Sequence, residues 1–155
     1  MKNEFREISR LPNFILILFG IQFIVFFIIF IKNKNQDLEI FYILLPVFLI
    51  LSFLKLTVLM TTDSFKYKLF PMHFGYKEIS WQEIEKIQIS KINQLSDFSG
   101  WGIRYSKKHG WGYIFNSNDV MLIQQKKGKK IIFTIKNQKK LIEFLNENKI
   151  SFVID

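Results

Sequence analysis

The sequence predicts a membrane α-helical hairpin followed by a mostly-β domain of about seven antiparallel strands, arranged as a small barrel or sandwich, and a C-terminal α-helix. Three observations lead to this prediction. Two long apolar runs lie between Asn13 and Met60, apolar residues alternate with polar ones after Met60, and helical spacing returns after Asn137. We therefore expect two domains, an N-terminal segment with the hairpin in residues 1–60 and a β domain in residues 61–155.

The first apolar run, Phe14–Ile31, is interrupted only by Gly20 and Gln22. As a helix it would rise about 27 Å, close to the thickness of the hydrocarbon core of a bilayer. The run is longer than the apolar core of a normal secretory signal, and no small-residue cleavage site follows it. We therefore predict an anchor.

The second apolar run begins at Ile40 and meets its first charge at Lys55, after which apolar residues continue to Met60. A lysine at that position can extend its ammonium to the lipid headgroups. We predict a second span over Ile40–Lys55, with eight polar residues, Lys32–Glu39, connecting the two.

Basic residues flank both predicted spans, and they set the orientation of a membrane protein. Three basic residues precede the first span and two lie in the connection, so both termini are expected in the cytoplasm. The expected membrane-interface residues are Arg10, Lys32 and Lys55.

The alternating region begins with Phe65, Tyr67 and Leu69 on one face and lysines on the other. Turn residues separate the later apolar segments, as expected of a small antiparallel β domain. The predicted strands are Leu56–Thr62, Phe65–Leu69, Glu78–Trp81, Lys86–Ile92, Trp101–Tyr105, Trp111–Phe115, Val120–Gln124 and Ile131–Ile135. Residues 93–100 are expected to form a loop, and Asn137 to cap the last helix.

Several functional classes are excluded by what the chain lacks. There is no cysteine, and the two histidines, His73 and His109, are far apart in sequence. Neither lies in a pattern of metal ligands. No nucleophile motif, phosphate loop or zinc-hydrolase motif is present. We therefore expect no enzyme activity, no metal and no cofactor.

The basic residues are concentrated in turns of the β domain, in a chain of net charge +9. Lys126, Lys127, Lys129 and Lys130 occupy one turn, and a second turn holds Lys107 and Lys108. Lysines near an anionic leaflet contribute about 1 kcal/mol each, so these six residues are candidate lipid-binding residues. Lysines in turns also serve simply as solvated surface that prevents edge-to-edge association.

The lipid interpretation depends on two assumptions about geometry. The two turns must lie at the same end of the domain, and the second apolar helix must end near Met60 so that it holds them close to the bilayer. Nucleic acid is not expected as a partner, because the chain has only three arginines and a membrane tether.

The three tryptophans, Trp81, Trp101 and Trp111, lie in or beside alternating strands. They would suit a membrane-interface belt or a peptide groove. Because such strands bury one face, we expect at least two of them in the core.

The order of seven strands and one helix is that of the pleckstrin-homology fold. The segments Ile79–Ile84, Gly100–Arg104 and Trp111–Tyr113 resemble those of the bacterial pleckstrin-homology-like membrane proteins, over about residues 57–148. The resemblance implies that fold and carries over no catalytic residue. The usual phosphoinositide pocket uses basic residues in the first hairpin, where this chain has Thr61–Ser64 with an aspartate.

We therefore expect a multi-pass protein of the bacterial inner membrane, with the lipid bilayer as its surroundings. The expected function is a membrane-anchored, non-catalytic binding module whose pleckstrin-homology-like domain engages a protein partner at the cytoplasmic membrane face. The alternative is a weak sensor of anionic lipid that uses the lysine-rich turns. The oligomeric state stays open.

Overall fold

The computed structural model describes residues 4–32, 38–107 and 109–155. The chain divides into two compact units: a helical unit, Leu11–Leu54, and a β unit made of Met1–Arg10 and Lys55–Asp155. The helical unit is therefore an insertion in the sequence of the β unit. This division differs from the expected boundary after residue 60, because residues on both sides of the apolar runs belong to one sheet.

The helical unit consists of α1, Asn13–Lys32, and α2, Leu38–Phe53. The ring of Phe23 stacks on that of Phe48 with 5.2 Å between centroids, so the two helices pack against each other. Most of the connection predicted between them, residues 33–37, lies outside the described residues.

Only α1 is long and apolar enough to be a membrane span among the described residues, with a mean hydropathy of 3.1. The 16 residues of α2 rise about 24 Å, less than the roughly 30 Å of a hydrocarbon core. The multi-pass localisation, with spans at Phe14–Ile31 and Ile40–Lys55, is therefore wrong. The prediction that both termini are cytoplasmic assumed two spans, so it loses its basis. The reason is that the apolar residues after Leu54 form a strand.

Sheet A of the β unit has four antiparallel strands in the order β1-β2-β3-β4. Residues Phe5–Arg10 pair along their whole length with the strand that follows the helical unit, from Phe5↔Met60 to Arg10↔Lys55. The strands are β1 (Phe5–Arg10), β2 (Lys55–Met60), β3 (Ser64–Phe70) and β4 (Lys77–Ser80). A 3-10 turn, Trp81–Glu83, leads to the second sheet.

Sheet B has six strands in the order β10-β5-β8-β9-β7-β6. Two of its pairings, β7 with β9 and β10 with β5, are parallel and the others antiparallel. The strands are β5 (Ile84–Lys91), β6 (Gly102–Ser106), β7 (Gly110–Ile114), β8 (Asp119–Gln125), β9 (Lys130–Thr134) and β10 (Val153–Ile154).

The core between the sheets is centred on Phe133, which is fully buried. Its ring lies 4.9 Å from those of Phe65 and Tyr67 in sheet A and 5.2 Å from that of Tyr113 in sheet B. These aromatic contacts join the two sheets. A separate cluster on the other face of sheet B buries Phe98 of the short helix α3, Gln94–Phe98.

The C-terminal helix α4, Gln138–Glu147, packs on β1 through Phe144 and Phe5, whose ring centroids are 6.5 Å apart. The carboxylate of Glu7 in β1 accepts hydrogen bonds from the backbone N–H groups of Lys136 (2.7 Å) and Asn137 (2.9 Å). Asn137 caps the helix through its side chain, as predicted. The first strand therefore holds the start of the last helix.

The prediction of a mostly-β domain with a C-terminal helix is confirmed, but its details change. The prediction was about seven antiparallel strands in a small barrel or sandwich, whereas the described part of the chain forms ten strands in two sheets that do not make a closed barrel. Two of the pairings are parallel. The expected loop at residues 93–100 contains α3. The N-terminal flank, for which the sequence analysis predicted no strand, contains β1.

The pairing of Arg10 with Lys55 predicts that the helical unit can be removed without unfolding the β unit. Replacing residues 11–54 by a glycine- and asparagine-rich turn of about four residues would make β1 and β2 an ordinary hairpin. We expect this shortened chain to show a cooperative thermal transition and dispersed amide resonances. A fragment of residues 61–155 lacks half of sheet A and should be disordered; a well-dispersed spectrum from it would contradict this account.

Candidate binding surfaces of the β unit

The two lysine-rich turns lie at the same end of sheet B. Gly110 opens β7 and Lys130 opens β9, and these strands run parallel, with Trp111 opposite Ile131. The backbones approach so closely that a Cβ built on Gly110 would lie 2.6 Å from the carbonyl oxygen of Lys130. The structure therefore brings Lys107 close to the other turn, while Lys108 lies outside the described residues.

We call the five described lysines of these turns the lysine surface; all are exposed, and they are Lys107, Lys126, Lys127, Lys129 and Lys130. Within the described part of the chain they form no ion pair. Glu85, on the neighbouring strand β5, instead accepts a hydrogen bond from Gln124 at 3.0 Å. The surface is therefore a concentration of uncompensated positive charge, suited to an acidic ligand.

An exposed aromatic pair accompanies the lysine surface. Tyr105 and Trp111 are register partners in β6 and β7, and their rings meet edge to face at 5.5 Å. They are 63% and 50% exposed. Trp111 lies on the same face of β7 as Tyr113, because side chains two residues apart in a strand share a face. Tyr113 packs on Phe133 in the core, whereas Trp111 lies beyond the core and is exposed to solvent.

The expectation that at least two tryptophans lie in the core is wrong. Trp81 and Trp101 are half-buried and Trp111 is exposed. Trp81 donates from Nε1 to the carbonyl oxygen of Thr61 at 2.9 Å. The sequence signal that was missed is the position of Trp111, directly after Gly110 at the first residues of a strand, where alternation no longer implies a covered face.

The lysine surface lies beside the β2–β3 turn, residues 61–63, which we call the turn end of sheet A. The N–H of Lys126 donates to the carbonyl oxygen of Glu83 at 2.9 Å, and Glu83 belongs to the 3-10 turn whose Trp81 binds Thr61. Met60, the last residue of β2, lies at this same end.

The opposite end of sheet A, which we call the junction end, holds two of the predicted membrane-interface residues. Arg10, Lys55 and Phe70 are neighbours across β1, β2 and β3, and the Lys55 Nζ lies 5.7 Å from the centroid of the Phe70 ring. The third such residue, Lys32, is the last residue of α1.

This arrangement overturns one assumption of the lipid interpretation. The chain leaves the helical unit at Leu54, and the six residues of β2 then span roughly 17 Å to Met60. The lysine surface is therefore near Met60 but at the end of the β unit away from the two chain connections.

The junction end also carries a loop that sequence analysis did not single out. Residues 71–76, here called the apolar loop, connect β3 to β4, and Met72, Phe74 and Tyr76 are exposed, Phe74 by 96%. The loop is held in place, since the Lys68 Nζ donates to the Phe74 carbonyl oxygen at 2.9 Å. The signal available in the sequence was a turn, Pro-Met-His-Phe-Gly-Tyr, that lacks the polar residues typical of turns.

His73 fixes the inner side of the apolar loop. Its N–H donates to the carbonyl oxygen of Leu69 at 2.7 Å, and its Nδ1 accepts from the Leu69 N–H at 3.2 Å. The ring lies edge-on to Tyr67 and Tyr113, with centroids 5.9 and 6.3 Å away. Burial, and then the Lys77 ammonium, lower the pKa of His73. The imidazole is therefore neutral at neutral pH.

The two buried tyrosines beside His73 are held in their neutral form. Burial, followed by the neighbouring Tyr113, raises the pKa of Tyr67, and burial also raises the pKa of Tyr113. Both phenols therefore stay protonated at neutral pH. Among the described residues no three His, Asp or Glu side chains lie close enough to hold a metal ion.

An open cleft of about 670 Å³ lies over the outer side of β5, lined by Asp97, His109 and Gln138 among others. Gln88 and Asp155 hydrogen-bond to each other at its edge.

Comparison with models of protein families, with curated proteins and with solved structures gives no match. The resemblance to bacterial pleckstrin-homology-like proteins therefore stays a prediction from the residues.

The close approach of Gly110 to Lys130 predicts an asymmetry between two glycines of the lysine-rich turns. Both Gly110 and Gly128 have φ of +78°, but a Cβ would meet backbone only at Gly110. G128A should cost about 1–2 kcal/mol for the backbone conformation. G110A should cost about 1–3 kcal/mol more, because β7 must move away from β9. Denaturant unfolding measures the difference; equal losses would show that the two turns are not in contact.

The lowered pKa of His73 predicts a loss of stability in mild acid. The unfolded chain takes up the proton near pH 6.5, whereas the folded chain does so only at lower pH, so stability is present above about pH 6.5 and falls as the pH drops towards the folded pKa. Lowering the pH from about 7.5 to about 5.5 should reduce the melting temperature of the wild type more than that of H73Q. Glutamine at this position can accept the same hydrogen bond without titrating. Identical reductions would exclude His73 as the cause.

Proposed function

We propose that this protein is a membrane-anchored, non-catalytic binding module. The helical unit, with α1 as its candidate span, holds the β unit at a membrane, and the β unit binds an acidic protein partner through the lysine surface and the Tyr105–Trp111 pair. A pleckstrin-homology-like fold for the β unit is part of this proposal, and the order of strands followed by a C-terminal helix supports it.

The observation that carries the proposal is the position of the lysine surface. It lies at the turn end, while the chain connects to the helical unit at Arg10 and Lys55 of the junction end. A surface that serves to hold the domain on its own bilayer is expected near those connections. Cationic residues directed away from them are better suited to a partner beyond the headgroups.

The aromatic pair supports a protein as that partner. Tryptophan and tyrosine are over-represented among residues that dominate binding energy at protein interfaces, where they fill pockets surrounded by polar contacts. Tyr105 and Trp111 already pack edge to face on each other, so little side-chain conformational entropy is lost on binding. The lysines around them supply attraction over several ångströms to an acidic segment.

The alternative function, a weak sensor of anionic lipid, rests on the same lysines. It requires a second membrane surface, because the lysine surface lies beside the turn end of sheet A while the chain connections leave from its junction end. Its distinguishing property is binding that depends on headgroup charge and falls as salt rises.

The test compares two sets of substitutions that remove the same charge from the full chain. One set changes Lys126, Lys127, Lys129 and Lys130 to glutamine; the control set changes four exposed lysines elsewhere, Lys136, Lys139, Lys140 and Lys149. A photo-crosslinking amino acid at position 105 reports what lies against the surface in membranes of the source cells. The first set should abolish the protein adduct and the control set should leave it intact.

Truncation of the aromatic anchor should weaken the same complex. W111A should cost about 2 kcal/mol if Trp111 is a dominant contact, or roughly 30-fold in affinity for the captured partner. Adducts to phospholipid rather than protein, lost in the first set and at high salt, would support the lipid sensor instead. Equal adduct yields in both sets would exclude the lysine surface from either function.

A further inference from the structure

We propose that the apolar loop at the junction end inserts into the headgroup region of the membrane that holds the helical unit, as a second and independent contact of the β unit with lipid. The proposal rests on the proposed membrane anchoring, which it deepens by assigning the lipid-facing residues of the β unit.

The first argument is the position of the loop relative to the chain connections. The loop begins one residue after Phe70, which lies beside Lys55, which in turn lies beside Arg10. Adjacent strands are about 4.8 Å apart, so these three residues lie within about 10 Å of each other. α1 begins at Asn13 and α2 ends at Phe53, within three residues of this end of the sheet. The residues that connect this end to the two helices extend at most about 10 Å, so a membrane that holds the helical unit is within reach of the junction end.

The second argument is the chemistry of the loop. Three large side chains of the loop are exposed to solvent: the thioether of Met72, the phenyl ring of Phe74 and the phenol of Tyr76. Phe74 is 96% exposed. Exposed apolar side chains that lie together, as these three do within five residues, mark surfaces that bind proteins or membranes. Aromatic residues with an apolar body and, in tyrosine, a polar tip concentrate at the boundary between headgroups and acyl chains.

The third argument is the charge around the loop. Arg10, Lys55, Lys68 and Lys77 lie on the strand ends that frame it. The ion pair found in this sheet, Lys66 with Glu78 at 3.3 Å, lies farther along β3 and β4, and among the described residues none of these four cations is paired with a carboxylate. Apolar tips surrounded by cations are the composition of surfaces that bind anionic bilayers.

The loop is also shaped in advance for insertion. His73 is turned inward against Leu69, Tyr67 and Tyr113, and the carbonyl of Phe74 is held by Lys68. With its centre fixed in this way, the loop projects Met72 and Phe74 without having to order itself on contact.

The test uses the absence of cysteine from the chain, which allows one fluorescent label at a time on the full protein. Phe74→Cys reports the loop, Thr62→Cys reports an exposed position in the opposite turn, and Ile24→Cys reports the middle of α1. Each protein carries an environment-sensitive bimane and is reconstituted into vesicles of phosphatidylcholine and phosphatidylglycerol, with or without lipids that carry a nitroxide quencher. Phe74 and Thr62 are exposed, so neither label disturbs the core.

The proposal predicts a blue-shifted emission and quenching by nitroxide lipid at positions 74 and 24, and water-like emission without quenching at position 62. Quenching at 24 but not at 74 would overturn the loop insertion and leave the membrane anchoring intact. A blue shift at 74 without lipid quenching would overturn it in favour of a protein contact, such as a second copy of the chain. No quenching at either 24 or 74 would overturn both the insertion and the anchoring.

Discussion

The pairing of β1 with β2 is the constraint on which the rest of the structure depends. Six consecutive residue pairs join the two strands although the whole helical unit lies between them in sequence. β1 covers the edge of β2, packs on α4 through Phe5 and Phe144, and holds the start of that helix through Glu7. Sheet A, the core and the last helix therefore all use residues that precede the first apolar helix.

The same pairing fixes where the helical unit is attached. Because Arg10 and Lys55 face each other across two antiparallel strands, both chain connections leave the sheet at one point, about 5 Å apart. Every surface of the β unit can therefore be assigned a position relative to those connections.

Two chemically different ends result from this geometry. The junction end combines exposed apolar side chains with cations, whereas the turn end combines lysines with an edge-to-face aromatic pair. The aromatic core lies between them: Tyr113 contacts both His73, at the base of the apolar loop, and Phe133, at the centre of the sandwich. This common core keeps the two surfaces at a fixed separation.

The sequence by itself determined the apolar length of α1, most of the strands after Met60 and the Asn137-capped last helix, because these depend on local periodicity and on residues near in the chain. It also identified the lysine-rich turns, since the composition of a turn is local. It predicted a strand at Leu56–Thr62 but did not determine which strands pair with it, because pairing partners are set by tertiary contacts and not by the local pattern. Those partners are β1 and β3, and β1 is separated from β2 by all of residues 11–54. The tertiary structure alone decided that Met60 lies far from the chain connections and that the two lysine-rich turns meet through Gly110 and Lys130. It also decided that the turn at residues 71–76 exposes Phe74 to solvent. Each of these depends on pairing between residues distant in sequence, which periodicity cannot encode.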